Sequence, residues 1–184
     1  LTTEELGLMI KQAGIDFNEL EPEAHDLPFG MYSGAGVIFG VTGGVAEAVI
    51  RRLVDDKSHN SFNNISFSGV RGLEGVKEVT VPYKGRDIKI AIVNGLKNVE
   101  NLIKKIEAKE AEYHFVEVMA CPNGCIGGGG QPRSDRDSRR KRSDALYSND
   151  KLAEIRHSAA NPFVTRVYKV IVRDDAKRLL HVHY

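Results

Sequence analysis

Cys121 and Cys125 stand four positions apart at the head of a glycine-rich run, and they are the only thiols in 184 residues. Two thiolates at this separation on a turn can face one soft metal centre, with Gly124 letting the backbone fold tightly between them. Residues 127–130 are all glycine, which permits close approach of main chain to a bulky inorganic ligand, and the small Ala120 leaves room beside the first thiol. Bare C-x-x-x-C spacing fits inert or disulfide-bonded thiols equally well. Zinc would need two further ligands, and His25, His59, His114, His157, His181 and His183 show no finger-like pairing. A phosphate loop is also disfavoured. There is no Gly-Lys-Ser/Thr ending, and no G-x-G-x-x-G opens a helix with an acid about 20 residues on.

The thiols need elements to carry them. Residues 114–118 form a short predicted strand running into the cysteine loop, preceded by a helix on Val99, Leu102, Ile103 and Ile106 that ends near Glu110. Before that helix, Ile88, Ile90, Ile92 and Val93 mark a strand over 87–93, buried on at least one face. Strand, helix, strand implies a right-handed parallel crossover. The loop over 119–132 then follows the carboxyl end of a parallel strand, where open α/β sheets place ligands.

Upstream, Tyr83, Lys84, Gly85 and Arg86 read as a hairpin turn after a strand over 76–81, and residues 65–70 alternate like another strand. Val45, Val49 and Leu53 fit a helix entered through Thr42, Gly43 and Gly44 and ending near Asp55, with a polar loop over 57–64. Thr2 or Thr3 can cap a first helix, on Leu6, Met9 and Ile10, that Gly14 stops; residues 15–36 read as irregular. Downstream, a helix over 135–147 carries Arg136, Arg139, Arg140, Lys141 and Arg142, which with Arg133 form the one basic cluster, read as a solvated face. A further helix runs from Asn161 or Pro162 to about Val170, then an irregular tail. The fold class is α/β, a parallel-core sheet flanked by helices with a helical, irregular C-terminal segment.

Composition narrows the function classes. Lys and Arg total 26 against 25 Asp and Glu, a net charge of +1, which gives no general drive toward nucleic acid or an anionic membrane. No apolar run approaches the roughly 20 residues of a bilayer span. A soluble, cytoplasmic protein is expected. Two cysteines cannot staple a domain of this size, so their chemistry is local.

The complete string over 117–131, E-V-M-A-C-P-N-G-C-I-G-G-G-G-Q, is far more specific than its spacing. It resembles the third cysteine motif of iron-only, or [FeFe], hydrogenases, E-x-M-A-C-x-x-G-C-x-x-G-G-G-Q, at every fixed position. Pro28, Phe29 and Gly30, the run from Ser33 through Gly36, Ile38, Phe39, Gly40, Val41, Thr42, Gly43, Gly44 and Val45, and Glu47 with Ala48 are similar to the family's preceding loop and helix. Val70, Arg71, Gly72 and Leu73 with Gly75, Val76, Lys77 and Glu78 are similar to its middle segment. Leu146, Tyr147, Asp150, Arg156, His157, Ser158, Asn161, Pro162 and the end Leu180, His181, Val182, His183, Tyr184 resemble its C-terminal end.

The resemblance implies that residues 1–184 are the C-terminal lobe of a hydrogenase catalytic (H-cluster) domain. The family's centre is a [4Fe-4S] cubane joined through one thiolate to a di-iron unit, where H2 is reversibly oxidised and protons reduced. By motif, Cys121 would ligate the cubane alone and Cys125 would bridge the cubane and the di-iron unit, making Cys125 the catalytic ligand. Met119 resembles the methionine packed beside the di-iron unit, while Phe39 and Gly40 resemble the loop closing the pocket. A thioether and an aromatic ring exclude water without competing as hard ligands. The implied partners are H2 and protons, a ferredoxin or NAD(P)-linked electron-transfer partner, and the N-terminal half of the catalytic domain.

The family's two earlier cysteine motifs, its proton-relaying cysteine and its cyanide-holding lysine are not in the sequence, and a cubane normally takes four thiolates. The expectation is a catalytic half-domain, inactive alone, with Leu1 a cut instead of a beginning. Two other readings stand beside it: a hydrogenase-like iron-sulfur assembly factor without H2 chemistry, and an α/β module with a thiol redox switch.

Overall fold

A computed structural model of the chain describes residues 1–24, 26, 30–53, 69–133 and 135–181. Three strands form one sheet in the order β1 (Val76–Tyr83), β2 (Arg86–Asn94), β3 (Phe115–Met119). The β1 and β2 strands pair antiparallel through the two-residue turn Lys84 and Gly85, both in the left-handed region at φ 49° and 76°, as a twisted hairpin demands. The β2 and β3 strands pair parallel, Ile90 opposite Phe115 and Asn94 opposite Met119. The expected crossover is therefore present, and the sheet is mixed, its parallel pair flanked by a hairpin strand.

Alternation along β2 buries the strand on both faces. Ile90 and Ile92 pack with Ala46 and Ile50 of α3 (Gly44–Leu53), joined by Val70 and Val79. Ala91 and Val93 face the other way, onto Val99 and Leu102 of α4 (Leu96–Glu107). Burying an isoleucine fully is worth roughly 1.5–3 kcal/mol, so Ile50, Ile90 and Ile92, at 0–1% exposure, bind helix to sheet. Ile103 and Ile106, counted on the apolar face of α4, are instead 48% and 40% exposed.

A second cluster, Ile38, Val41, Ile126 and Tyr147, sits beneath the cysteine loop. It joins α2 (Gly34–Val37) and the 3-10 turn Ile38–Gly40 to α5 (Arg136–Leu152). The last helix runs five residues past its expected end at 147, because Tyr147 and Asp150 are buried on it. Before the sheet, α1 (Thr3–Gln12) is capped by Thr2 with Glu5 returning the bond, and it buries none of its residues.

The C-terminal stretch is more helical than read: α6 (Pro162–Val167) passes into a π turn Tyr168–Val172, a 3-10 turn Arg173–Asp175 and α7 (Ala176–Leu180). The strand expected over 65–70 is not found where it can be checked, since Gly69 lies in a turn and Val70, although buried, is in no strand; residues 65–68 lie outside the described residues. So do the polar loop over 57–64, the helix end at Asp55, and Pro28, Phe29, Val182, His183 and Tyr184 of the resemblance. No helix of the described residues is long and apolar enough to cross a membrane.

Between α3 and α5 lies a buried ionic centre. The Arg51 guanidinium donates to both Asp150 oxygens at 2.7 Å and to Glu47 Oε1 at 2.6 Å. Arg71 donates to both oxygens of Glu47 at 2.7 and 2.8 Å and stacks on the Tyr147 ring 4.0 Å from its centroid, while Arg156 adds a 2.9 Å bond to Asp150. Burial alone would lower the pKa of the Arg51 and Arg71 guanidiniums, but the carboxylates outweigh it and the net shift is upward.

Candidate functional site

The cysteine loop leaves the sheet at Met119, the last residue of β3. The Gly124 amide donates to Cys121 O, those of Gly127 and Gly128 to Gly124 O and Cys125 O, and a 3-10 turn Cys125–Gly127 starts on the second cysteine. Both cysteines are free; Cys121 is half-buried and Cys125 exposed.

Gly124 is the crowded point. Its φ is +87°, and a side chain there would meet Gly40 O and Met119 Sδ at 2.8 Å and Thr42 N at 2.9 Å. The structure therefore brings Gly40 and Met119, two of the five sequence-selected residues, against the cysteine loop at one position. Phe39 is different. Its ring is 48% exposed, so within these residues it closes no dry pocket.

A cavity of about 330 Å³ opens beside Cys125, lined also by Gly40, Ile126, Gln131, Arg142, Ala145 and Leu146. Among the described residues no carboxylate borders it, and the thiol of Cys125 stands in a largely apolar wall. A Cβ on Gly128 would lie 3.5 Å from Cys121 Sγ, so glycine keeps backbone low beside that thiol. These features fit an iron-sulfur cluster, and the chain holds two thiols where a cubane usually takes four. Among the described residues no group of three or more His, Cys, Asp and Glu side chains gathers as a metal site.

The start of α3 is held from β3. Glu117, 4% exposed, accepts from Gly43 N at 2.6 Å and Ala46 N at 2.7 Å, so one carboxylate satisfies two free amides at the start of α3 and meets its positive dipole end. Asn94 at the end of β2 is 3% exposed and reaches Thr42 Oγ1 at 3.2 Å and Glu74 O at 2.7 Å. Lys77, 9% exposed, donates to Val70 O and Gly72 O at 2.8 Å and Thr42 O at 3.3 Å. Burial pushes its ammonium down to about 8, against the upward pull of Glu117 and Glu74.

Sequence reasoning passed over Asn94, Lys77, Asn123, Arg139 and Arg142. Arg139 donates to Asn123 Oδ1 at 3.0 Å, and Arg142 to Ile126 O at 2.9 Å and Pro132 O at 3.1 Å. The basic cluster is thus divided: Arg133, Arg136, Arg140 and Lys141 are exposed, while Arg139 and Arg142 are half-buried and bind the cysteine loop. The Asn-Gly pair inside the motif was an available turn signal for Asn123; Lys77 and the two arginines carried none.

A family model described as the iron only hydrogenase large subunit, C-terminal domain, matches residues 1–129. The chain belongs to that family. Residues 136–184 match a second model, iron hydrogenase small subunit, so the iron hydrogenase pattern continues through α5 to the end. The NADP-reducing hydrogenase subunit HndD of Solidesulfovibrio fructosivorans is 39% identical over all of this chain and 32% of its own length. Cytosolic iron-sulfur assembly component 3 of Mus musculus is 29% identical over all of this chain and 40% of its own. A solved variant of [FeFe]-hydrogenase HydA1 from Chlamydomonas reinhardtii superposes with a TM-score of 0.66 at 36% identity, covering 98% of this chain and 53% of that one. The chain therefore spans about a third to a half of the iron hydrogenases and related proteins it matches.

Proposed function

We propose that residues 1–184 form the C-terminal lobe of an iron hydrogenase catalytic domain, supplying Cys121 and Cys125 as thiolate ligands of its [4Fe-4S] and di-iron centre. The observation that carries this is the loop itself: two free thiols at the carboxyl end of a parallel strand, in contact through Gly124 with Met119 and Gly40, beside a cavity without carboxylates. When bound, that centre supplies reversible H2 oxidation and proton reduction. Cys121 would be a ligand of the cubane, and Cys125 would be the ligand shared with the di-iron unit. Met119 and Gly40 shape the wall, and Phe39, exposed here, closes the pocket once the N-terminal half is in place. Two thiolates do not hold a cubane that takes four, so the chain alone is inactive.

The partners under this reading are H2 and protons, the N-terminal half, and a ferredoxin or NAD(P)-linked electron carrier, the last supported by the relative named an NADP-reducing hydrogenase subunit. The reading includes a cytoplasmic location, which keeps both thiols reduced. Anaerobic reconstitution with iron, sulfide and a di-iron complex already carrying carbon monoxide and cyanide tests it. The isolated chain evolves no H2 from a reduced dye, whereas the intact parent does so and loses the activity on Cys125→Ser; evolution by the isolated chain at the intact rate would refute the half-site.

A second reading, an iron-sulfur assembly factor without H2 chemistry, is favoured by the assembly-component relative aligned over the whole chain. Infrared bands of iron-bound CO and cyanide in the intact parent separate the two, since only the hydrogenase carries that di-iron unit.

A further inference from the structure

We propose that Asn123 is the positioning residue of the cysteine pair, holding Cys121 and Cys125 in one orientation by tying the segment between them to four other parts of the fold. The proposal rests on the reading that the two thiols ligate a soft metal centre.

Every polar group of Asn123 is used. Its main-chain N–H donates to Asn94 Oδ1 at 2.8 Å, and its main-chain carbonyl accepts from Thr42 N at 3.2 Å. Its side-chain Nδ2 donates to Leu73 O at 2.6 Å, and Oδ1 accepts from Arg139 at 3.0 Å. These partners lie on the end of β2, the loop before α3, the loop before β1 and helix α5, so one residue gathers four segments around the thiols. Asn123 also sits at φ +66°, directly before Gly124 at +87°. Two successive left-handed residues turn the chain back on itself, and asparagine takes that conformation at lower cost than most residues with a side chain.

The string that carries the family resemblance, C-x-x-G-C, leaves this position unspecified, so the motif by itself does not dictate the four-way tie. It explains why Arg139 is drawn out of an otherwise solvated basic cluster. The consequence is preorganisation: thiols already held in place lose less freedom when they close on a metal, and partners one step removed from the ligands govern affinity.

The test is a titration of the reduced 184-residue chain with Cd2+, read by thiolate-to-cadmium charge-transfer absorption, with a thermal melt of each variant. Asn123→Gly keeps the left-handed backbone and removes both side-chain ties; Asn123→Ala also strains the turn; Arg139→Met removes one tie. Asn123→Gly is expected to weaken Cd2+ binding by about 10- to 100-fold while remaining folded, with a smaller loss for Arg139→Met. The double variant binds no more weakly than Asn123→Gly alone, because both changes remove the same bond. Asn123→Gly that melts lower yet binds Cd2+ as the parent does would show a structural role only and overturn the inference. If the alanine variant does not fold, the glycine variant still decides. Failure of the parent chain itself to bind Cd2+ through the two thiols overturns the metal-site reading and this inference with it.

Discussion

Helix α3 joins two regions of opposite character. On the side facing α5, its Glu47 and Arg51 and the Asp150 of α5, none more than 2% exposed, satisfy one another's charges with Arg71 and Arg156 at the margin. At its N-terminal end the helix abuts a loop whose two thiols are free, one of them exposed. Buried ion pairs contribute little net stability, yet deleting one member leaves an uncompensated charge in a low-dielectric interior. The exposed thiol can be replaced with no such penalty. Stability and chemistry are therefore separable in this chain, and they meet at Glu117 and Asn123.

The largest effect should come from breaking the ionic region. Asp150→Ala takes away two of the Arg51 guanidinium's bonds, leaving it to Glu47, and removes the Arg156 contact; it should cost about 3–5 kcal/mol in urea unfolding. A loss below ~1 kcal/mol would mean that water reaches the centre and that the two regions differ less than their burial suggests. Glu117→Gln comes next, since it replaces a carboxylate acceptor that serves two amides; a loss of roughly 1.5–3 kcal/mol is expected. Because Glu117 also holds the Gly43 amide next to Thr42, whose N–H donates to Asn123 O, its variant should weaken Cd2+ binding, whereas Asp150 variants that remain folded should not.

The lysine beneath the site sharpens the comparison through pH. Native Lys77 titrates at about 8 against 10.5 for the ordinary amine. Between those values the native chain has released a proton that the unfolded chain keeps, so stability gains as pH rises across that window. Below it the cost of burying the charge is present in full. Melting curves of the parent minus those of Lys77→Met should show the parent gaining between pH 8 and 10.5; a flat difference would place the amine in contact with water. The smallest expected change in stability is Cys125→Ser, within about 0.5 kcal/mol, accompanied by loss of Cd2+ chelation. A large loss of stability there would erase the separation between the regions.

Much of the scaffold was legible because it is local. Lys84 and Gly85 announced a hairpin, the alternation over 87–93 a buried strand, and the apolar spacing after Asn94-Gly95 the crossover helix that orders the cysteine loop. Legibility failed where local pattern and burial disagree. Ile103 and Ile106 have helical spacing but face outward, and α5 extends to Leu152 because Asp150 is needed at the ionic centre. The basic cluster was misread in part because charge in sequence does not show whether a guanidinium meets water or a carbonyl. Phe39 could be selected only through resemblance, and here it is 48% exposed.

By itself the sequence determined the chemistry-bearing unit: which two thiols, which turn residues between them, and the strand–helix–strand that presents them. All of these depend on neighbours within a few residues or on periods of two and 3.6. Only the tertiary structure decided what holds that unit in place. Glu117 reaches amides 71 and 74 positions away, Arg51 meets Asp150 across 99, and Asn123 ties to Leu73 across 50. Contacts at such separations leave no local period, because they form only when packing has brought distant segments together.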